Sequence, residues 1–133
     1  MTLFRGAAAA VAACLIFTAS CTTQKQTEGG AAPAQVVETE EGPVLATGAG
    51  LTLYIYEDDE PGVSNCTAEC AEIWSPFTAS GDAEAAGEWS VITRPDGGKQ
   101  WAYNGYPLYT WIEDQQPGDI RGADIPEWQI ARP

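Results

Sequence analysis

Histidine is absent from all 133 residues. Its absence removes the commonest metal ligand, the usual neutral-pH general base, every His-containing triad and the CxxCH route to covalent haem. Positive charge is scarce too: six Lys and Arg stand against 19 Asp and Glu, for a net charge of −13. Affinity for phosphate backbones and anionic lipid comes mainly from Lys and Arg, so neither nucleic acid nor a polybasic grip on a membrane is expected. No GxSxG, Walker loop or HExxH occurs, motifs that would announce hydrolase, nucleotide or zinc-protease chemistry. No apolar run reaches the ~20 residues of a spanning helix. What remains is 44% hydrophobic and 10% aromatic. That is enough to fold, with room for one domain at roughly 100–200 residues each.

The N-terminus reads as an address. Met1 to Arg5 carries one positive charge and no acid, and Gly6 to Ser20 is apolar or small. A positive start and a short apolar stretch closed by small residues form a secretory signal over residues 1–20. Thr18-Ala19-Ser20-Cys21 resembles a bacterial lipobox, in which the cysteine becomes acylated and then N-terminal. A rival at Val11-Ala12-Ala13-Cys14 runs on into Leu15-Ile16-Phe17, whereas Cys21 is followed by polar Thr22-Thr23-Gln24-Lys25. The expected lipidation site is therefore Cys21, with a plain secreted chain as the alternative. Each buried methylene contributes ~0.8 kcal/mol, so several acyl (palmitate-type) chains hold a protein firmly. The expected location is the cell envelope, anchored to a membrane and facing away from the cytoplasm. Residues 21–43, with Gly29-Gly30-Ala31-Ala32-Pro33-Ala34 and Glu38, Glu40 and Glu41, read as a flexible acidic tether. Val36-Val37 is its one strand-like element.

Residues 44–133 hold all five Trp and all five Tyr. Leu51 to Tyr56 reads as a strand, broken by the acids, Pro and Gly of Glu57–Gly62. Trp89–Thr93, Gln100–Tyr103 and Leu108–Ile112 read as a meander, its second turn at Asn104-Gly105, the strongest short hairpin signal. Trp128–Ile130 reads as a last strand. A short helix is expected around residues 66–74. Ser64 or Asn65 would cap it, Pro76 would stop it, and Cys70, Ile73 and Trp74 would share a face. Trp74, Trp101 and Trp128 are the core candidates. The fold class is mainly β: a small antiparallel, meander-rich domain built from two related repeats, with one short helix.

The repeat is visible in the residues. Leu53-Tyr54 leads through Asp59 to Pro61-Gly62, and Leu108-Tyr109 leads through Asp114 to Pro117-Gly118, with an offset of 55 positions from Leu53 to Leu108. Side chains alternate along a strand, so Tyr54 and Asp59, like Tyr109 and Asp114, cannot share one face of one strand. Each Asp belongs in the turn beyond. There it would cap backbone N–H groups or accept from a Tyr hydroxyl, and a binding role is the alternative.

This doubled Tyr-x4-Asp resembles a known pattern when read with Ser64-x-Cys66-x3-Cys70-Ala71-x2-Trp74-x-Pro76, Arg94-x-Asp96-Gly97, Gln100-Trp101 and Pro107-Leu108-Tyr109. The chain is similar to the secreted-repeat-of-unknown-function lipoproteins over about residues 48–128. Trp74-Ser75-Pro76 stands where that family shows Trp-Pro-Pro. The resemblance implies an envelope lipoprotein module of paired repeats, and no activity, substrate or catalytic residue.

Cys66 and Cys70 would remain after export, in a compartment where disulfides persist. A structural disulfide is expected, with redox-active thiols or a copper(I) pair as alternatives; Glu69 and Glu72 argue against a reactive thiolate. Glu57-Asp58-Asp59-Glu60 lacks the D-x-[DN]-x-[DN]-G spacing of a Ca²⁺ loop and reads as a solvated acidic turn. No metal site, cofactor or catalytic residue is expected. Tyr56, Tyr103, Tyr106 or Trp111, if exposed, could stack sugars or bind a protein. The functional expectation is a membrane-anchored, non-catalytic binding or scaffolding module with an envelope protein as partner. The alternatives are a redox or copper-handling protein using Cys66 and Cys70, or an aromatic carbohydrate-binding module.

Overall fold

Alternation with period two in Leu53-Tyr54-Ile55-Tyr56 and in Leu108-Tyr109-Thr110-Trp111 sends aliphatic side chains one way and rings the other. The computed structural model, which describes residues 32–133, builds both halves of the molecule on that alternation. Its strands are β1 (Gln35–Thr39), β2 (Gly42–Ala46), β3 (Tyr54–Tyr56), β4 (Trp74–Pro76), β5 (Trp89–Thr93), β6 (Lys99–Tyr103), β7 (Tyr106–Pro107), β8 (Tyr109–Trp111) and β9 (Trp128–Ile130). One helix, α1 (Glu69–Ile73), precedes β4. The pairing is antiparallel throughout: a β1-β2 hairpin, a β5-β6-β7 sheet, and a central sheet in the order β4-β8-β3-β9.

The central sheet interleaves the repeats. Tyr54 of the first lies opposite Tyr109 of the second, and β4 of the first repeat pairs with β8 of the second, as β9 pairs with β3. Two cyclic triads of backbone hydrogen bonds lock the exchange. Leu45 N donates to Ala131 O (2.8 Å), Ala131 N to Leu53 O (2.8 Å), and Leu53 N to Leu45 O (2.9 Å). Trp101 N donates to Phe77 O (2.8 Å), Phe77 N to Leu108 O (2.8 Å), and Leu108 N to Trp101 O (3.1 Å). Each triad takes two strands from one repeat and one from the other, so neither repeat closes its own hydrogen-bond ladder. Two cores result, on opposite sides of the central sheet. One gathers Leu45, Leu53, Trp89, Tyr103, Leu108 and Ala131; the other gathers Tyr54, Cys66, Trp74, Tyr109 and Trp128.

Several expectations change. The hairpin of β1 and β2 occupies residues assigned to the tether, because Val37 and Val44 pair and Leu45 enters the core. Helix α1 starts later than expected, after Ala68, without a side-chain cap. Ser64 and Asn65 are not free to cap it, since both are bonded to the Asp59 and Tyr109 region. Trp74 leaves the helix for β4, Pro76 sits within β4, and Ile73 is exposed. The strand expected at Leu108–Ile112 departs from the meander as β8, and Tyr106–Pro107 completes that sheet instead. Trp101 is half-buried and Trp89 takes its place in the core. The Asn104-Gly105 turn is as expected: both residues have positive φ (51° and 88°), as its two-residue hairpin turn demands. The signal segment and Cys21 lie outside the described residues. Among the described residues no helix is long and apolar enough to cross a membrane.

Candidate functional site

The two Tyr-x4-Asp motifs are joined crosswise. The Tyr54 hydroxyl donates to Asp114 Oδ2 (2.6 Å), and the Tyr109 hydroxyl donates to Asp59 Oδ2 (2.7 Å). Each Asp stands in the turn after its own strand and binds the Tyr of the other repeat. Its second oxygen ties down the loop that follows: Asp59 Oδ1 accepts from Asn65 N (2.6 Å) and Asp114 Oδ1 from Arg121 N (2.9 Å). All four side chains are buried. Burial pushes both carboxyls above the usual range, against the pull of these donors. Burial and then the bond to Asp114 push the Tyr54 phenol up. Burial, with the Asp59 bond adding to it, carries Tyr109 up to about 12.

Around this crossing the halves differ. Arg94 is buried beside Tyr109, donating to Ser64 Oγ (2.9 Å), Gln100 Oε1 (2.7 Å) and Cys66 O (2.8 Å). Ser64 Oγ lies 2.6 Å from the Tyr109 hydroxyl. The tyrosine proton points to Asp59 and Ser64 accepts from Arg94, so Ser64 donates to Tyr109. A chain of hydrogen bonds thus runs from guanidinium to carboxylate, every member satisfied. At the Tyr54 end a backbone serves instead: Gly122 N donates to the Tyr54 hydroxyl (3.2 Å). A Cβ on Gly122 would stand 2.8 Å from Trp74 and 2.9 Å from Tyr54, so only glycine fits there. The signal for Arg94 was present in Arg94-x-Asp96-Gly97; nothing local in sequence singles out Gly122.

The rings stack into a column. Tyr56 lies on Trp128 (4.6 Å between centroids), Trp128 on Trp74 (3.7 Å, 8° between planes) and Trp74 on Trp111 (4.3 Å). Tyr54 and Tyr109 meet Trp74 and Trp128 edge-on at 5.2 Å. Trp74 and Trp128 come from the two outer strands of the central sheet, so the column joins its edges. Of the four rings considered for an exposed aromatic row, Tyr103 is buried, Tyr56 and Trp111 are half-buried, and Tyr106 is exposed.

Cys66 and Cys70 form the expected disulfide, with Cα atoms 5.2 Å apart and Cys66 fully buried. Asp96 accepts from Gly98 N and Asp119 from Gln115 N and Gln116 N, as turn residues should. Among the described residues no group of three or more His, Cys, Asp or Glu lies together as a metal site.

An open groove of about 350 Å³ lies on the aliphatic side of the central sheet, lined by Ile55, Tyr56, Glu57, Tyr106 and Gln129. Ile55 and Gln129 are cross-strand partners, and Gln129 Nε2 donates to Glu57 Oε1 (2.7 Å).

Residues 35–78 and 90–131 each match the family model described as a secreted repeat of unknown function. The chain belongs to that family. No curated protein and no solved structure matches it. The two matched segments are the two repeats that exchange their last strands, and residues 79–89 between them link the halves of the secreted-repeat domain.

Proposed function

We propose that this secreted-repeat protein is a lipoprotein anchored through Cys21, holding a non-catalytic binding or scaffolding domain on the extracytoplasmic side of a bacterial membrane, with an envelope protein as its partner. The observation that carries the reading is the use to which the reactive groups are put. Asp59 and Asp114 hold Tyr109 and Tyr54 in buried pairs, and Cys66 and Cys70 are closed into a disulfide. The Tyr–Asp pairs join the two repeats, and the disulfide closes a loop within the first. The groove and the exposed Val63, Ile73 and Ile112 are left to face outward. The family's description as secreted supports export.

The test has two parts. Metabolic labelling with palmitate is expected to mark the wild type and Cys14→Ser but not Cys21→Ser. Label that survives in Cys21→Ser and disappears in Cys14→Ser refutes the anchor. Crosslinking in intact envelopes is expected to capture one dominant partner, lost when the exposed apolar residues are replaced by Ser. Thiol titration of the native protein is expected to find Cys66 and Cys70 unreactive.

A further inference from the structure

The near-repetition of the fold supplies an internal control. Positions related by the repeat carry the same side chain where the fold needs it: Leu53 and Leu108, Tyr54 and Tyr109, Asp59 and Asp114, Trp74 and Trp128. Four of the five groove residues do not repeat; the fifth, Tyr56, corresponds to the aromatic Trp111 and belongs to the stacked column. Against Ile55, Glu57, Tyr106 and Gln129 stand Thr110, Ile112, Leu51 and Ser75 in the other half. The other half folds with the same strand pairing, so the fold itself does not ask for these four side chains.

Their chemistry converges on one kind of ligand. Ile55 is half-buried and offers an apolar floor. Tyr106 is 38% exposed, a large ring presented to solvent. Glu57 is exposed and its carboxylate makes no ion pair among the described residues; it accepts from the neutral Gln129 amide. The described cations are engaged elsewhere: Arg94 in the buried network, Lys99 on Thr93, Arg121 beside Asp119 and Arg132 beside Glu41. An open groove with an aromatic wall and an unpaired carboxylate attracts a cation with an apolar body, through the ring's quadrupole and the charge together. Its volume falls within the range of small-ligand clefts.

We propose that the Ile55–Tyr106–Glu57 groove is a binding site for an organic ammonium group, whether a quaternary amine or a lysine-like primary amine. This deepens the binding reading and rests on it.

The test is a titration of the full chain in non-ionic detergent, followed by amide chemical shifts. The probes are choline, its uncharged isostere with a tert-butyl group in place of trimethylammonium, and lysine amide. The expected result is saturable binding of an ammonium probe with shifts centred on Ile55, Tyr106 and Gln129, and binding of the isostere weaker by roughly three- to thirty-fold. Tyr106→Leu and Glu57→Gln are expected to weaken choline by a similar factor, while Tyr106→Phe keeps it. Preference for choline or for lysine amide names the source, and either upholds the site. Equal binding of the isostere, shifts centred elsewhere, or an unchanged titration in Tyr106→Leu overturns it. The dispersion of the amide shifts in each Tyr106 variant reports its folding in the same experiment, and Tyr106→Phe keeps the ring in place. Palmitate labelling and envelope crosslinking do not depend on these side chains, so silence in the titration removes the ammonium site and leaves the anchored scaffold to its own test.

Discussion

The half of the molecule built around Asp59 and the half built around Asp114 solve one problem with different parts. In both, a turn carboxylate must be buried against a tyrosine of the other repeat, and a long loop must then return to the sheet. The Asp59 half surrounds its pair with Arg94, Ser64 and Gln100 and stiffens its loop with α1 and the Cys66–Cys70 disulfide. In the Asp114 half the repeat position of Arg94, 55 residues earlier, holds Thr39, which bonds Gly42 O in its own hairpin turn; Gly122 supplies a backbone N–H to Tyr54, and Asp119 pins the loop through Gln115 and Gln116. What the halves share is the crossed Tyr–Asp bond and the stacked tryptophans. Those are the parts common to both halves, and each half completes its surroundings with different side chains.

The sharpest break of the comparison is at Arg94. Arg94→Leu is expected to lower unfolding free energy by about 3–5 kcal/mol, because Ser64, Gln100 and the Cys66 carbonyl lose a buried charged donor. Its counterpart Thr39→Val removes a part-buried bond to Gly42 O and is expected to cost about 1 kcal/mol or less. Urea denaturation of the two variants checks the pair. Equal losses would show that the buried network adds nothing to the Asp59 half.

Next come the tyrosines. Tyr109→Phe and Tyr54→Phe are each expected to cost about 1.5–3 kcal/mol, leaving a buried carboxylate short of a donor. Tyr109 adds a pH signature. Its folded phenol is raised from 10.0 to about 12, so the folded state holds the proton more tightly than the unfolded chain. Its contribution is complete below pH 10 and disappears as pH rises to about 12, a loss of about 3 kcal/mol by linkage. Stability measured from pH 9 upward is expected to fall less steeply in Tyr109→Phe than in the wild type. Identical slopes would mean that burial and the Asp59 bond together do not raise the phenol in the folded state.

Much of this was legible in the sequence, and the limits are physical. The two Tyr-x4-Asp motifs, the turn location of each Asp, the disulfide, the Asn104-Gly105 hairpin and the last strand at Trp128 all follow from local chemistry. The crossing of the bonds between repeats was not legible, because a repeat seen in one dimension carries no sign of which copy it pairs with. The helix start was misplaced because Ser64 and Asn65 have the right chemistry for a cap, but the Ser64 hydroxyl is bonded to Tyr109 and the Asn65 side-chain amide donates to Asp58 O instead. Only Val36-Val37 marked β1 in the sequence, because Glu38 within it and Glu40 and Glu41 in the turn after it give the segment the charge of a tether; all three are exposed. The groove was invisible because Glu57 and Gln129 lie 72 positions apart.

The disulfide belongs to the Asp59 half alone, and its removal should be felt less than that of Arg94. Replacing both cysteines by alanine opens a loop with a sequence separation of four, and loop-closure entropy puts the cost at about 2 kcal/mol. Cys66 is fully buried, so its loss adds a small cavity. The expected fall is therefore at least that figure, read by the same denaturation.

The smallest effect tests how far the two halves are interchangeable on their surfaces. Glu57 and Ile112 hold equivalent positions after β3 and β8, one a carboxylate and the other an aliphatic chain that is 60% exposed. Substitutions at such positions usually change stability by less than about 0.5 kcal/mol. The exchange Glu57→Ile with Ile112→Glu should leave the unfolding midpoint where it was while it moves the carboxylate out of the groove. A stability loss well beyond 0.5 kcal/mol would show that the asymmetry is demanded by packing. An unchanged midpoint would show that the interior alone is fixed by the repeat, leaving Glu57 and Ile112 to be explained by what each half meets outside the protein.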